Sequence, residues 1–208
     1  MNTLFGPDVY LDDIERQGYT VIHNALIADL VNDLVADCHR INPHFSLAGI
    51  GRLNDLQIDK AVRTDKTYWF DGSSQAQLTY QAIMQSIKTT LNRSFFMGLF
   101  DYECHYAKYT QGDFYKKHLD AFKGRSNRVF TTVLYLNTPK QGGELVIYKP
   151  KSKEIEITIK PTAGTLVMFE SERFAHEVLP AVDDRYSIAG WFRKNASISG
   201  IIDPPDNS

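Results

Sequence analysis

Cysteine is nearly absent from this chain of 208 residues. Cys38 and Cys104 stand far apart with no Cys-x-x-Cys spacing, which leaves neither a disulfide framework nor a zinc knuckle to organise the fold. Both read as buried thiols. Long apolar runs are missing too. Nothing approaches the ~18 consecutive apolar residues of a membrane-spanning helix, and the opening Met-Asn-Thr-Leu-Phe-Gly-Pro lacks the basic start and apolar stretch of a secretory signal. A reducing, cytoplasmic setting is therefore expected. Neither sign of charge dominates: 23 Lys+Arg face 25 Asp+Glu, for a net charge of −2. That balance argues against a dedicated nucleic-acid or membrane surface. The exception is a locally basic run around Lys108, Lys116, Lys117, Lys123, Arg125 and Arg128, which reads equally well as a recruiter of acidic partners or as the solvated rim of a loop. There is no internal repeat and no Ser or Cys nucleophile signature. Nothing in the sequence fixes an oligomeric state.

What is present suits one domain over 1–208, since a chain of this size can bury about 70% of its unfolded surface without staples. Residues 8–17 read as a short helix ending at Gly18, followed by a strand at 19–22. A clearer helix spans 25–40, with Leu26, Leu30, Leu34 and Cys38 inward and Asp29, Asn32, Asp33 and Asp37 outward, until Pro43 stops it. Residues 46–60 show no period and read as a mobile loop, and 63–70 as a strand. A second amphipathic helix over 75–92 starts behind Ser73 or Ser74, with Leu78, Ala82, Ile83, Ile87 and Leu91 inward. From Leu99 the text is β, with strands near 129–136, 143–148, 154–159, 164–170, 176–180 and 185–193. The implied architecture is mainly β with supporting helices: a helical and loop part over 1–98, a double-stranded β-helix (jelly roll) core over 99–193 and a frayed tail over 199–208.

Within that core four residues carry chemistry. His118 and Asp120 lie two apart on a segment that reads as extended, so their side chains point the same way and can grip one ion. Such a pair arises readily by chance, so context decides. His176 supplies a third ligand, completing the two-His, one-carboxylate face that holds non-haem Fe(II) and leaves positions open. Arg185 follows in Arg-Tyr-Ser-Ile-Ala-Gly-Trp-Phe, a returning strand, and its guanidinium offers a planar fork that suits a carboxylate. Tyr135 stands in Val133-Leu134-Tyr135-Leu136, where a buried phenol needs a partner. His23, His39, His44 and His105 have no spaced partner and read as structural.

The order Tyr109, His118-Leu-Asp120, Tyr135-Leu-Asn137, Gly142-Gly143-Glu144-Leu145, Gly164, His176-Glu-Val178 and Arg185-Tyr186 resembles the Fe(II)/2-oxoglutarate-dependent oxygenases. Within them it is most similar to the oxygen-sensing prolyl 4-hydroxylases of the hypoxia-inducible-factor type and their bacterial relatives, over roughly residues 50–193. The resemblance implies Fe(II) on His118, Asp120 and His176, with O2 and 2-oxoglutarate as cosubstrates and stimulation by ascorbate. It places Arg185 and Tyr135 on the distal carboxylate of 2-oxoglutarate and Tyr109 at its other end. It implies substrate contacts from Arg128 and Trp191, and from Arg63 and Asp65 at the end of a substrate-covering loop, with Leu145 on the pocket wall. The substrate it implies is a prolyl residue of a protein or peptide, with elongation factor Tu the first candidate. The sequence departs from the pattern in two places: the Tyr109-to-His118 gap is one residue shorter, and Ala189 stands where those sensors carry Thr.

Read without the resemblance, Arg63 and Asp65 also suit a surface ion pair, and Tyr109, Trp191 and Leu145 suit ordinary core. A cupin-like or hydrolytic zinc enzyme would use the same three ligands without 2-oxoglutarate, although Arg185 with Tyr135 speaks against it. A non-enzymatic jelly-roll module would have no use for the triad. The same oxygenase chemistry on a small molecule or alkylated nucleic acid is the remaining alternative.

Overall fold

The computed structural model describes residues 5–6, 8–49, 59–121, 127–194, 197–198 and 201–202. Residues 50–58, most of the stretch assigned above to a loop, lie outside them, as do Lys123, Arg125 and all of the tail except 201–202. Helix α1 (Asp8–Gln17) ends at Gly18, whose φ of +83° is a backbone state glycine adopts freely. Strand β1 (Tyr19–Ile22) follows, then α2 (Ala28–Arg40), which starts later than its periodicity predicts because Ile27 is extended. A short 3-10 turn over Asn42–His44 carries Pro43. Next come β2 (Ser46–Leu47) and β3 (Lys66–Trp69), then α3 (Gln75–Phe95). The Ser74 hydroxyl caps α3 by accepting from the Gln77 amide at 3.2 Å.

The remaining chain is β: β4 (Leu99–Tyr109), β5 (Tyr115–His118), β6 (Arg128–Tyr135), β7 (Leu145–Tyr148), β8 (Ile155–Ile159), β9 (Leu166–Glu170), β10 (His176–Val178) and β11 (Arg185–Lys194). Short strands β12 (Ser197–Ile198) and β13 (Ile201–Ile202) pair with each other. A seven-stranded sheet in the order β1-β9-β6-β11-β4-β3-β2 faces a four-stranded sheet in the order β5-β10-β7-β8, and their ladders are antiparallel. This is the jelly roll expected from the sequence. Strand side chains alternate, so the large sheet presents two different faces. One packs Tyr106, Phe130, Leu134, Ile188 and Phe192 against Leu30, Leu34, Tyr80, Met84 and Ile87 of the helices. The other meets the small sheet through Val133, Tyr135, Val167, Phe169, Leu145 and Ile147.

Two predicted helix faces are corrected. On α3 the buried stripe runs Tyr80, Met84, Ile87, Leu91 at helical spacing. Leu78, two residues before Tyr80 and so about 200° round the helix, is 47% exposed, and Ala82 is exposed with it. On α2 Asp37 is buried rather than outward, because it follows Leu30 and Leu34 on the same face. Its carboxylate accepts hydrogen bonds from Ser74 Oγ at 2.8 Å, Gln77 Nε2 at 3.2 Å and Tyr106 Oη at 2.9 Å, and pairs with Arg40. It therefore ties α2 to α3 and to β4.

Burial pushes the Asp37 carboxyl up, but the bonds from Arg40, Ser74, Tyr106 and Gln77 outweigh it and leave it below the ordinary carboxylate range. A depressed value in the folded state adds stability above the unfolded carboxylate pKa, lost as pH falls through the folded one. Asp37→Ala should lower unfolding free energy by about 3 kcal/mol near neutrality, because buried donors lose their acceptor. Urea titrations should show the difference between parent and variant shrinking below about pH 4.

Candidate active site

Alternation on the large sheet puts Trp69, His105, Ala107 and Tyr109 on the face toward the small sheet, together with Thr131, Val133, Arg185, Ser187, Ala189 and Trp191. His118, Leu145, His176 and Val178 close the opposite side, leaving a cavity of about 370 Å³.

His118 ends β5 and His176 begins β10, and the two are directly opposite in the antiparallel register. Asp120 lies in a bend just past β5 rather than on the strand itself, which corrects the extended reading. The bend still turns its carboxylate inward: Oδ1 is 3.3 Å from His118 Nε2 and Oδ2 is 3.5 Å from His176 Nε2. One ligand atom from each residue lies within 4.8 Å of the others. His118 Nδ1 donates to the Lys116 carbonyl at 2.8 Å and His176 Nδ1 to that of Phe174 at 3.3 Å. A carbonyl can only accept, so both Nε2 atoms are left with lone pairs aimed at the shared point. Burial and the neighbouring His118 push His176 down to about 4, which keeps that imidazole neutral. Burial opposes ionisation of Asp120, but His176 and His118 outweigh it and hold the carboxyl well below its ordinary range.

Asp120 Oδ2 also accepts from Thr131 Oγ1 at 2.7 Å and Trp191 Nε1 at 2.9 Å, both on the large sheet. Two imidazoles and one anchored carboxylate on one side of an open cavity fit Fe(II) with free coordination positions.

Deeper in the cavity Arg185 is 1% exposed. Its Nη1 donates to Ser187 Oγ at 3.1 Å, and its guanidinium carbon lies 4.7 Å from the ring centre of Tyr109 and 4.9 Å from that of Tyr135. No carboxylate among the described residues pairs with it, and both its Nε and Tyr135 Oη are buried without a hydrogen bond. Gly143 (φ +72°) makes room for it: a Cβ there would sit 2.9 Å from Arg185 Cδ. An uncompensated buried cation costs several kcal/mol, and an arriving carboxylate removes that cost. With Leu145, Val133 and Val178 lining the same cavity as the cation and the triad, the cavity fits 2-oxoglutarate: a carboxylate for Arg185 and a metal-binding keto acid for the triad.

At the mouth, Arg63 and Asp65 form a bidentate pair at 2.8 and 2.7 Å. Their side chains are 10% and 0% exposed, so this is no surface ion pair. The Arg63 guanidinium lies 4.1 Å over the Tyr115 ring, which in turn stacks on His118 at 3.5 Å. Arg128 donates to Glu103 Oε1 at 2.8 Å and covers the Trp191 ring at 3.5 Å. The basic run breaks up, since Lys108 bonds to Asn42 Oδ1 and Lys117 to the Ser152 carbonyl. Sequence reasoning missed Thr131, Ser187, Tyr115, Trp69 and His105 as site residues. Three of them left a usable signal of their face, because His105, Thr131 and Ser187 each stand an even number of positions from Tyr109, Tyr135 and Arg185 on one strand.

A jelly roll with a two-His, one-carboxylate triad at its mouth, and behind it a buried arginine that no described carboxylate pairs with, defines a metal-dependent oxygenase. Residues 104–193 match the model of the 2OG-Fe(II) oxygenase superfamily. A prolyl-4-hydroxylase structure from Pseudomonas putida is 36% identical, with a TM-score of 0.81 over 91% of this chain and 99% of that one. The chain belongs to the 2OG-Fe(II) oxygenase superfamily. A Trichoplax adhaerens prolyl hydroxylase, solved with a hypoxia inducible factor peptide fragment, shares the fold at 24% identity and a TM-score of 0.78, covering 90% of this chain and 89% of that one. The hypoxia-inducible factor prolyl hydroxylase of Caenorhabditis elegans is 29% identical over 148 residues, 64% of this chain, which spans 20% of that relative's length.

His118→Ala and Asp120→Ala should abolish stoichiometric Fe(II) binding while leaving the far-ultraviolet circular dichroism of the parent, because the triad rims a cavity rather than filling the core. Thr131→Val removes the donor to Asp120, together with the 2.9 Å hydroxyl contact to Ser171, and should weaken metal binding about tenfold, measured by competition with a chelating dye.

Proposed function

We propose that this chain is an Fe(II)- and 2-oxoglutarate-dependent dioxygenase that hydroxylates a prolyl residue of a protein in the cytoplasm, with elongation factor Tu as first candidate. The observation that carries the oxygenase reading is the unpaired Arg185 guanidinium beside the unbonded Tyr135 hydroxyl, across one cavity from His118, Asp120 and His176. When bound, the iron, O2 and 2-oxoglutarate supply oxidation of an unactivated C–H bond, with the cosubstrate leaving as succinate and carbon dioxide.

The protein's own task is placement. Arg185 and Tyr135 hold the distal carboxylate, Tyr135 as a donor, since burial raises its phenol despite the opposing charge of Arg185. Leu145, Val133 and Val178 keep the middle of the cavity dry. His118 and His176 are oriented by backbone carbonyls, and Asp120 by Thr131 and Trp191. Arg63 with Asp65, and Arg128 with Trp191, form the mouth over which a polypeptide would lie. Two observations support a prolyl substrate: the likeness to prolyl 4-hydroxylases along nearly the whole chain, and a mouth walled by the two tryptophans Trp69 and Trp191. No described helix is long and apolar enough to cross a membrane.

Arg185→Ala removes a charge-assisted pair and should raise the apparent 2-oxoglutarate constant about ten- to a hundredfold; equal constants would take Arg185 out of the site. Incubation of the enzyme with cell extract, Fe(II) and 2-oxoglutarate should add the mass of one oxygen atom to a proline of elongation factor Tu. Oxidation of a free amino acid or alkylated nucleic acid instead, with proline-containing proteins untouched, would overturn the protein-substrate reading.

A further inference from the structure

His105 has no part in the chemistry described so far, yet it is built into the cavity wall. It lies in the middle of β4, opposite Trp69 of β3 and Ala189 of β11 in the two ladders. The residue is 4% exposed. Its ring centre is 5.0 Å from that of Trp69 and 5.5 Å from that of Trp191. Nδ1 lies 3.1 Å from the Tyr106 carbonyl, which can only accept, so the proton sits on Nδ1. Nε2 makes no hydrogen bond among the described residues and is not among the fully enclosed, unbonded atoms. It is therefore open to the cavity that the residue lines. Burial, reinforced by the charge of Arg63, pushes the imidazole down to about 4. At neutral pH Nε2 is a lone pair and nothing else.

A lone pair repels carboxylates, so His105 does not serve the 2-oxoglutarate end of the cavity, where Arg185 and Tyr135 stand. It asks for a donor. The flanking indoles ask that this donor be set among apolar groups, and the guanidinium groups of Arg63 and Arg128 already have partners. An extended peptide offers that combination, a backbone N–H beside apolar side chains. Proline has no N–H, so the donor belongs to a residue next to it in the chain.

We propose that His105 is a specificity-determining residue whose Nε2 accepts a hydrogen bond from a backbone amide of the peptide substrate, at a residue flanking the target proline, while Trp69 and Trp191 cover its apolar surroundings. The inference rests on the prolyl-peptide reading above. It explains why a polar side chain stands between Trp69 and Trp191 and opposite Ala189, and why it is held in one tautomer.

The test is a double cycle between enzyme and substrate. Synthetic peptides carrying the proline of elongation factor Tu, each with a single N-methylated amide at a different flanking position, are compared by kcat/KM. In the parent enzyme one position should lose about tenfold when its N–H is removed. His105→Leu should already have lost that factor on the unmethylated peptide and lose nothing more on methylation there, and His105→Gln, whose side-chain carbonyl accepts, should recover part of it. Equal methylation losses in parent and His105→Leu overturn the proposal while the prolyl reading stands. If His105→Leu does not fold, the scan on the parent alone decides, because the absence of any sensitive position overturns the proposal. A parent enzyme that leaves the unmethylated peptide and every proline-containing protein of a cell extract untouched overturns both readings together.

Discussion

A guanidinium buried between two sheets with no counter-ion among the described residues is the constraint around which this molecule is arranged. Arg185 is almost fully enclosed, and no described carboxylate comes to it. Such a group destabilises the empty protein by several kcal/mol unless hydrogen bonds and ring faces offset the loss of water. Ser187, Tyr109 and Tyr135 supply that partial compensation, and Gly143 keeps the space beside the Arg185 side chain clear. What is left unsatisfied, one guanidinium nitrogen and one phenol oxygen, is a binding site for an anion defined by its own deficit.

The opposite charge lies across the cavity on Asp120, and the two are kept apart by architecture. Arg185 stands on the large sheet, whereas His118 and His176 stand on the small one and Asp120 in the bend that leaves it. If the loop were free to bring Asp120 to Arg185, the site would collapse into an internal ion pair. Thr131 and Trp191 hold one Asp120 carboxylate oxygen from the large sheet, beside the imidazoles. The carboxylate is thus a bridge between the sheets, and its position reports on the spacing between them.

The fold was legible because strands and helices write their periods into the sequence: every strand expected from position 99 onward has a counterpart, and α3 begins at its Ser74 cap. The triad residues and Arg185, far apart in the chain, were legible as a constellation of types rather than from any one spacing. What sequence could not give is the large sheet's contribution to the small sheet's ligand. Thr131 is an ordinary strand residue until β6 lies across from the bend that holds Asp120. Asp37 was misjudged for a related reason. Its charge argued for solvent, and only the arrival of Ser74, Gln77 and Tyr106 from two other elements makes burial affordable. The Arg63 and Asp65 pair was undervalued likewise, since their seclusion depends on how β3 and its approach lie against Tyr115.

These two polar clusters meet on a single strand. Tyr106 points from β4 into the helical layer, where it bonds to Asp37, while His105, Ala107 and Tyr109 point from the same strand into the cavity. The backbone carbonyl of Tyr106 also fixes the tautomer of His105. The helices, which carry no site residue, therefore act on the site through the strand they clamp: locking Tyr106 sets the height and pleat of β4, and the pleat sets where the imidazole and the Tyr109 ring stand. A wall positioned in this way does not need the substrate to organise it, and rigidity of that kind lets a cavity discriminate by where it places a single acceptor.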